Sequence, residues 1–102
     1  MATLEEMTEK IRGAVAVGPD LGHSLKFDLK GEGFILIDGG AVTNEDRPAD
    51  LVIAITAKDL EALGRRELDP MRAIMSGRMK LSDMGLAMKL QPVIQTLFAK
   101  SV

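Results

Sequence analysis

Hydrophobic positions recur at two different periods along the chain, and the period changes near its middle. Leu4, Met7, Ile11 and then Ala14 or Val15 fall on one helical face. Thr3 followed by Glu6 forms a capping-box pattern ahead of them, and Gly18-Pro19 stops the run. Residues 24–30 alternate instead: Leu25, Phe27 and Leu29 point one way, Lys26, Asp28 and Lys30 the other, as in a half-buried strand. Gly31-Glu32-Gly33 supplies a turn, and 34–37 reads as a second strand, apolar on both faces. Asp38-Gly39-Gly40 is a hairpin signal, because glycine tolerates the positive φ that tight turns need. A short third strand follows at 41–43, then a polar loop at 44–48. A fourth strand covers 50–56, and its doubly apolar run at 51–55 suits an internal place in the sheet.

Beyond that point helices dominate. Thr56 with Asp59 caps a short helix through Leu60 and Leu63, closed by Gly64. Asp69-Pro70 opens another, carrying Met71, Ile74 and Met75 and ending at Gly77. Residues 79–82 alternate as a fifth strand. Ser82 or Asp83 caps a helix bearing Met84, Ala87 and Met88, and Gln91-Pro92 breaks or kinks the chain. A final apolar stripe holds Leu90, Val93, Ile94, Leu97 and Phe98. Early strands and late helices predict an α+β fold. Its five-stranded, mixed but mostly antiparallel sheet carries about five helices, mainly on one face. Two helices separate the fourth and fifth strands, which predicts a crossover there.

The 102 residues are one domain's length, so 1–102 is read as a single unit. Lys plus Arg number 13 and Asp plus Glu 15, and only three residues are aromatic. Near-neutral charge without stacking platforms argues against nucleic acid as a partner. No cysteine and a single histidine leave no thiolate or multi-histidine metal site and no thiol nucleophile, and no cofactor is expected. His23 beside Ser24 reads as a surface-loop histidine, since neighbours on a strand point to opposite faces. Asp38 and Asp50 are explained by a turn and by a strand start rather than as an acid–base couple. Gly31-Glu32-Gly33 lies between strands, not ahead of a helix, so it is no phosphate cradle. Catalysis is therefore not expected. The acidic N-terminus lacks a secretory pattern, and no apolar run spans a bilayer, so the expected location is cytoplasmic.

Charge and sulfur are unevenly placed. Residues 1–50 hold 5 basic and 10 acidic side chains, and 51–102 hold 8 and 5. Arg65, Arg66, Arg72, Arg78 and Lys80 share one stretch, which reads as a solvated face or as a rim for anionic head groups. Five of seven methionines fall at 71–88, with Met71/Met75 and Met84/Met88 at i, i+4. Flexible thioether side chains suit either an ordinary core or a cavity that adapts to apolar guests.

Several segments resemble the sterol carrier protein 2 domain family. Ala49-Asp50-Leu51-Val52-Ile53-Ala54-Ile55-Thr56 with Asp59-Leu60 resembles its central strand and next helix. Gly64, Leu68-Asp69-Pro70, Ala73, Gly77-Arg78-Met79-Lys80-Leu81-Ser82 and Leu86-Ala87-Met88-Lys89-Leu90 resemble its second half. One departure is the direct junction of Ser82 and Asp83, where the family usually has a glycine. The resemblance implies a sheet and helices enclosing an apolar tunnel that binds fatty acids, acyl-CoA or sterols without covalent chemistry. Mapped onto this chain, Leu25, Phe27, Leu29 and Ile53 form the floor, Met75, Met79, Leu81, Met84 and Met88 the walls, and Val93, Leu97 and Phe98 the lid. Arg65, Arg66 and Arg78 are head-group candidates. The implied partner is a lipid or other apolar small molecule, with at most transient membrane contact. The alternative is a packed interaction module, such as a homodimer. An empty tunnel of roughly 300 Å³ costs on the order of 7 kcal/mol, against a total stability of about 5–15 kcal/mol, so it has to be filled or partly collapsed.

Overall fold

In-register apolar side chains on one face of the sheet set the architecture. The computed structural model describes the backbone of residues 3–18 and 21–101, and the side chains of 3–18 and 21–97. Its strands are β1 (Leu25–Asp28), β2 (Phe34–Asp38), β3 (Ala41–Thr43), β4 (Leu51–Ala54) and β5 (Lys80–Leu81), in the order β3-β2-β1-β4-β5. Around the central β1, Leu25 lies between Ile37 and Leu51, and Phe27 between Ile35 and Ile53. Val42 continues this row on β3 and Leu81 on β5. The opposite face carries Lys26, Asp28, Val52 and Lys80.

The helices α1 (Leu4–Val17), α2 (Ala57–Gly64), α3 (Pro70–Met75) and α4 (Met84–Ser101) place their buried residues in one cluster with the apolar row. Met7, Ile11 and Ala14 come from α1, Leu60 and Leu63 from α2, Ala73 from α3, and Ala87, Leu90 and Leu97 from α4. Each large apolar side chain buried this way contributes about 1.5–3 kcal/mol, an upper value because unfolded chains bury some surface too. Thr3 and Glu6 make both bonds of the predicted capping box, and Thr56 caps α2 through the Asp59 N–H. Asp83 accepts the Leu86 N–H at 3.1 Å, so α4 starts directly after Ser82 without an intervening glycine.

Three expectations are corrected. First, β5 pairs antiparallel with β4, so α2 and α3 reverse the chain and no crossover lies there. The crossing falls instead in the helix-free 44–50 segment, which carries the chain from β3 to β4, parallel to β1. It is tied down by Lys26, whose ammonium bonds Asp46 at 2.6 Å and sits 5.3 Å from the Phe34 ring centre. Second, the described residues hold four helices, because α4 runs unbroken through Pro92. The buried stripe Ala87, Leu90, Leu97 keeps helical phase across the proline, and burial outweighs the missing N–H. Pro92 and Met88 are exposed, so the carbonyl that loses its donor can meet water. Third, α2 ends at Gly64 as expected, but Arg65 caps it and Arg66, not the glycine, takes the left-handed conformation (φ 62°) that usually favours glycine.

Three outcomes test this account. Pro92→Ala should stabilise the fold by about 1–3 kcal/mol in urea unfolding, since the restored hydrogen bond outweighs the added freedom of the unfolded chain. Thr3→Ala should cost about 1 kcal/mol. The Thr3 backbone N–H, and next its hydroxyl, hold the Glu6 carboxyl below its ordinary pKa. The unfolded state therefore binds this proton more readily. Stability from Glu6 is complete above the unfolded value and is lost as pH falls through the lowered folded one, a component that Glu6→Gln should remove from acid-unfolding curves.

Candidate functional site

The helix-covered sheet face gathers the buried apolar cluster of the described residues. Leu25, Phe27, Leu29 and Ile53 lie on it, fully enclosed, and Leu81 is half-buried at its β5 edge. From the helix side Leu97 and Met79 are buried and Val93 packs partly against the same cluster. The side chain of Phe98 falls outside the described residues. The other three methionines of the expected wall point outward: Met75, Met84 and Met88 are 83%, 49% and 69% exposed. Helical spacing unites each i, i+4 pair on a face without deciding which face turns inward. Met79 is drawn inward because it follows α3 as the chain enters β5, with its N–H bonded to the Ala73 carbonyl at 3.0 Å.

Two hollows open at the margins of this packed layer. One, of about 230 Å³, is a crevice between the end of α1, the β2–β3 hairpin and α4, lined by Val15, Leu21, Ile37, Gly40 and Leu97 among others. It leads toward the covered face, since Ile37 is the β1-paired neighbour of Leu25. Of its lining only Leu97 was expected. The hairpin glycines were read as turn formers, yet the missing side chain at Gly40, with open space around its Cα, also leaves the crevice mouth clear. The other hollow, of about 860 Å³, is an open polar groove between the α2–α3 segment and α4. Arg66 and Arg78 reach it together, with Arg72, Glu67, Asp69, Ser76 and Gln95. Arg65 does not: its guanidinium bonds Glu61 at 2.7 Å on α2.

The only histidine serves the sheet. Its Nδ1 lies 3.3 Å from Asp50 Oδ2, the same carboxylate oxygen that accepts the Ser24 N–H at 3.2 Å. Ser24 Oγ in turn accepts the Asp50 N–H at 2.8 Å. These bonds lock the start of the parallel β1–β4 pair. The serine oxygen is engaged with backbone, and no bond joins it to the imidazole among the described residues. No group of three metal-ligating side chains occurs among the described residues either.

Comparison with known proteins agrees with this architecture. The sequence profile of the SCP-2 sterol transfer family matches residues 3–95. Rabbit (Oryctolagus cuniculus) sterol carrier protein 2 is 43% identical over 54 residues, which are 52% of this chain and 10% of the rabbit protein. The matched segment thus spans about a tenth of that relative. Sterol carrier protein 2 like 2 of Aedes aegypti superposes with a TM-score of 0.75 at 24% identity, covering 88% of this chain and 94% of that one. Sterol carrier protein 2 of Aedes aegypti, solved in complex with the C16 fatty acid palmitate, gives 0.70 at 19% identity, covering 90% and 94%. With its profile matched over nearly the whole length and its sheet and helices in the same arrangement, the chain belongs to the SCP-2 sterol transfer family.

Proposed function

We propose that the protein binds and carries a long-chain lipid, with the acyl chain entering at the Ile37–Leu97 crevice and lying between the sheet face and α4. The observation that carries this reading is that Ile37 and Leu97, which line the crevice, belong to the same buried apolar cluster as Leu25 and Phe27 on the central strand. The Aedes protein solved with palmitate supports a fatty acid as the class of guest. A crevice of 230 Å³ is smaller than the roughly 300–1,000 Å³ of typical ligand pockets, so α4 has to shift from α1 as the chain enters. Such a shift is modest in cost, because α4 meets the core through a single stripe while its outer side is exposed. No acid–base or nucleophilic constellation is needed: binding is driven by removing a hydrocarbon chain from water, about 0.8 kcal/mol per buried CH₂.

Palmitate at about 100 times its dissociation constant should raise the melting temperature by about 10–20 °C, the shift that mass action gives for a domain of this size. Gly40 lines the crevice and has open space for a Cβ, so Gly40→Phe should weaken palmitate binding at least about tenfold while the fold is kept. A flat thermal response to palmitate, palmitoyl-CoA and sterol alike contradicts the proposal. Unchanged affinity in the glycine variant contradicts the assigned entrance.

A further inference from the structure

The six arginines of the chain divide into two groups. Arg12, Arg47 and Arg65 each pair with a carboxylate close in sequence: Glu9, Glu45 and Glu61. Arg66, Arg72 and Arg78 make no ion pair among the described residues. These three are the arginines that line the open groove between the α2–α3 segment and α4. Glu67 and Asp69 line the same groove, and neither of them makes an ion pair among the described residues. Cations and carboxylates thus share one concave wall without neutralising each other.

The backbone adds a second, independent sign. Arg66 holds φ 62°, in the left-handed region that glycine enters freely and that strains a residue with a side chain. A strained position of this kind is kept where its side chain has a use. The volume of the groove, about 860 Å³, lies within the roughly 300–1,000 Å³ of small-molecule sites.

The lining selects the ligand. Guanidinium groups are fork-shaped donors that match phosphate oxygens. Carboxylates accept from hydroxyls, as acidic residues do from the ribose of bound dinucleotides. Gln95 of α4 brings both a donor and an acceptor, and Leu68 and Pro70 bring apolar surface for a base. An inorganic anion would leave both carboxylates unused, and an uncharged sugar would leave three cations unused.

We infer that the groove is a binding site for a water-soluble nucleoside diphosphate, with its phosphates on Arg66, Arg72 and Arg78 and its ribose hydroxyls on Glu67 and Asp69. Among the described residues the groove and the palmitate crevice have no lining residue in common. The site is therefore separate from the lipid crevice, and the inference goes beyond the carrier reading without resting on it.

The test is calorimetric titration of the whole chain with ADP, adenosine and inorganic pyrophosphate at two salt concentrations. ADP is expected to bind saturably at one site, less tightly as salt is raised. Adenosine should not bind, and pyrophosphate should bind at least about tenfold more weakly than ADP. Arg72→Ala and Arg78→Ala should each weaken ADP at least about tenfold. Arg66→Gly should do the same with a nearly unchanged melting temperature, because relief of left-handed strain offsets the freedom that glycine adds to the unfolded chain. Arg65→Ala, at a guanidinium held by Glu61, should leave ADP affinity as it is. Absence of saturable ADP binding overturns the inference, as does an affinity that all three groove variants retain. Pyrophosphate binding as tightly as ADP overturns the part given to Glu67 and Asp69. Saturating palmitate should not change ADP affinity, and displacement of ADP by palmitate overturns the separateness of the site. If ADP binds and palmitate does not, the carrier reading fails and the nucleotide site stands.

Discussion

The constraint behind every other feature is the single apolar row that β1 holds in register with its two neighbours. Leu25 between Ile37 and Leu51, and Phe27 between Ile35 and Ile53, make a surface that water cannot be allowed to reach. A sheet of this kind needs a cover, and the four helices provide it from one side. The other side is guarded by less: Lys26 reaching to Asp46 and Phe34, and the 44–50 segment that crosses from β3 to β4. The two faces are therefore unequal, and a greasy guest has reason to choose the helical one.

The same constraint explains α4. A proline in mid-helix removes one hydrogen bond and favours a break, with a cost of about 3 kcal/mol or more in an unsupported helix. Here the stripe from Ala87 through Leu90 to Leu97 has to stay aligned with the sheet, and several buried side chains outweigh one lost bond. The outcome is a long cover that contributes a stripe inward and leaves Met84, Met88 and Pro92 to solvent.

How much of this was legible beforehand differs from element to element. Strands with alternating residues, such as Leu25-Lys26-Phe27-Asp28, declare both their state and their inner face, and the glycine-rich hairpins and the Thr3 and Thr56 caps are local chemistry. The resemblance in 49–90 led to the family. What local pattern does not contain is which side of an ambiguous helix meets the sheet. Met75 and Met79 were both assigned to the wall, yet α3 ends with Met75 exposed and the turn through Gly77, with its positive φ, sends Met79 inward. Long-range pairing was equally hidden. That β4 lies parallel beside β1, and that β5 returns antiparallel, depends on where the 44–50 segment and α2–α3 travel, which no window of residues records. Arg72 and Arg78 are separated in sequence and meet in one groove only through the fold.

The central claim is that the helix-covered face of the sheet, not its outer face or the arginine groove, takes the hydrocarbon chain. Methyl-resolved NMR with a fatty acid carrying a nitroxide on its chain reads this directly. The account predicts broadening at the methyls of Ile37, Leu97, Val15 and Leu25, with Val52 on the outer face spared. Broadening confined to Val52 and the 44–50 segment, or to Leu63 and Leu68 at the groove, would contradict it.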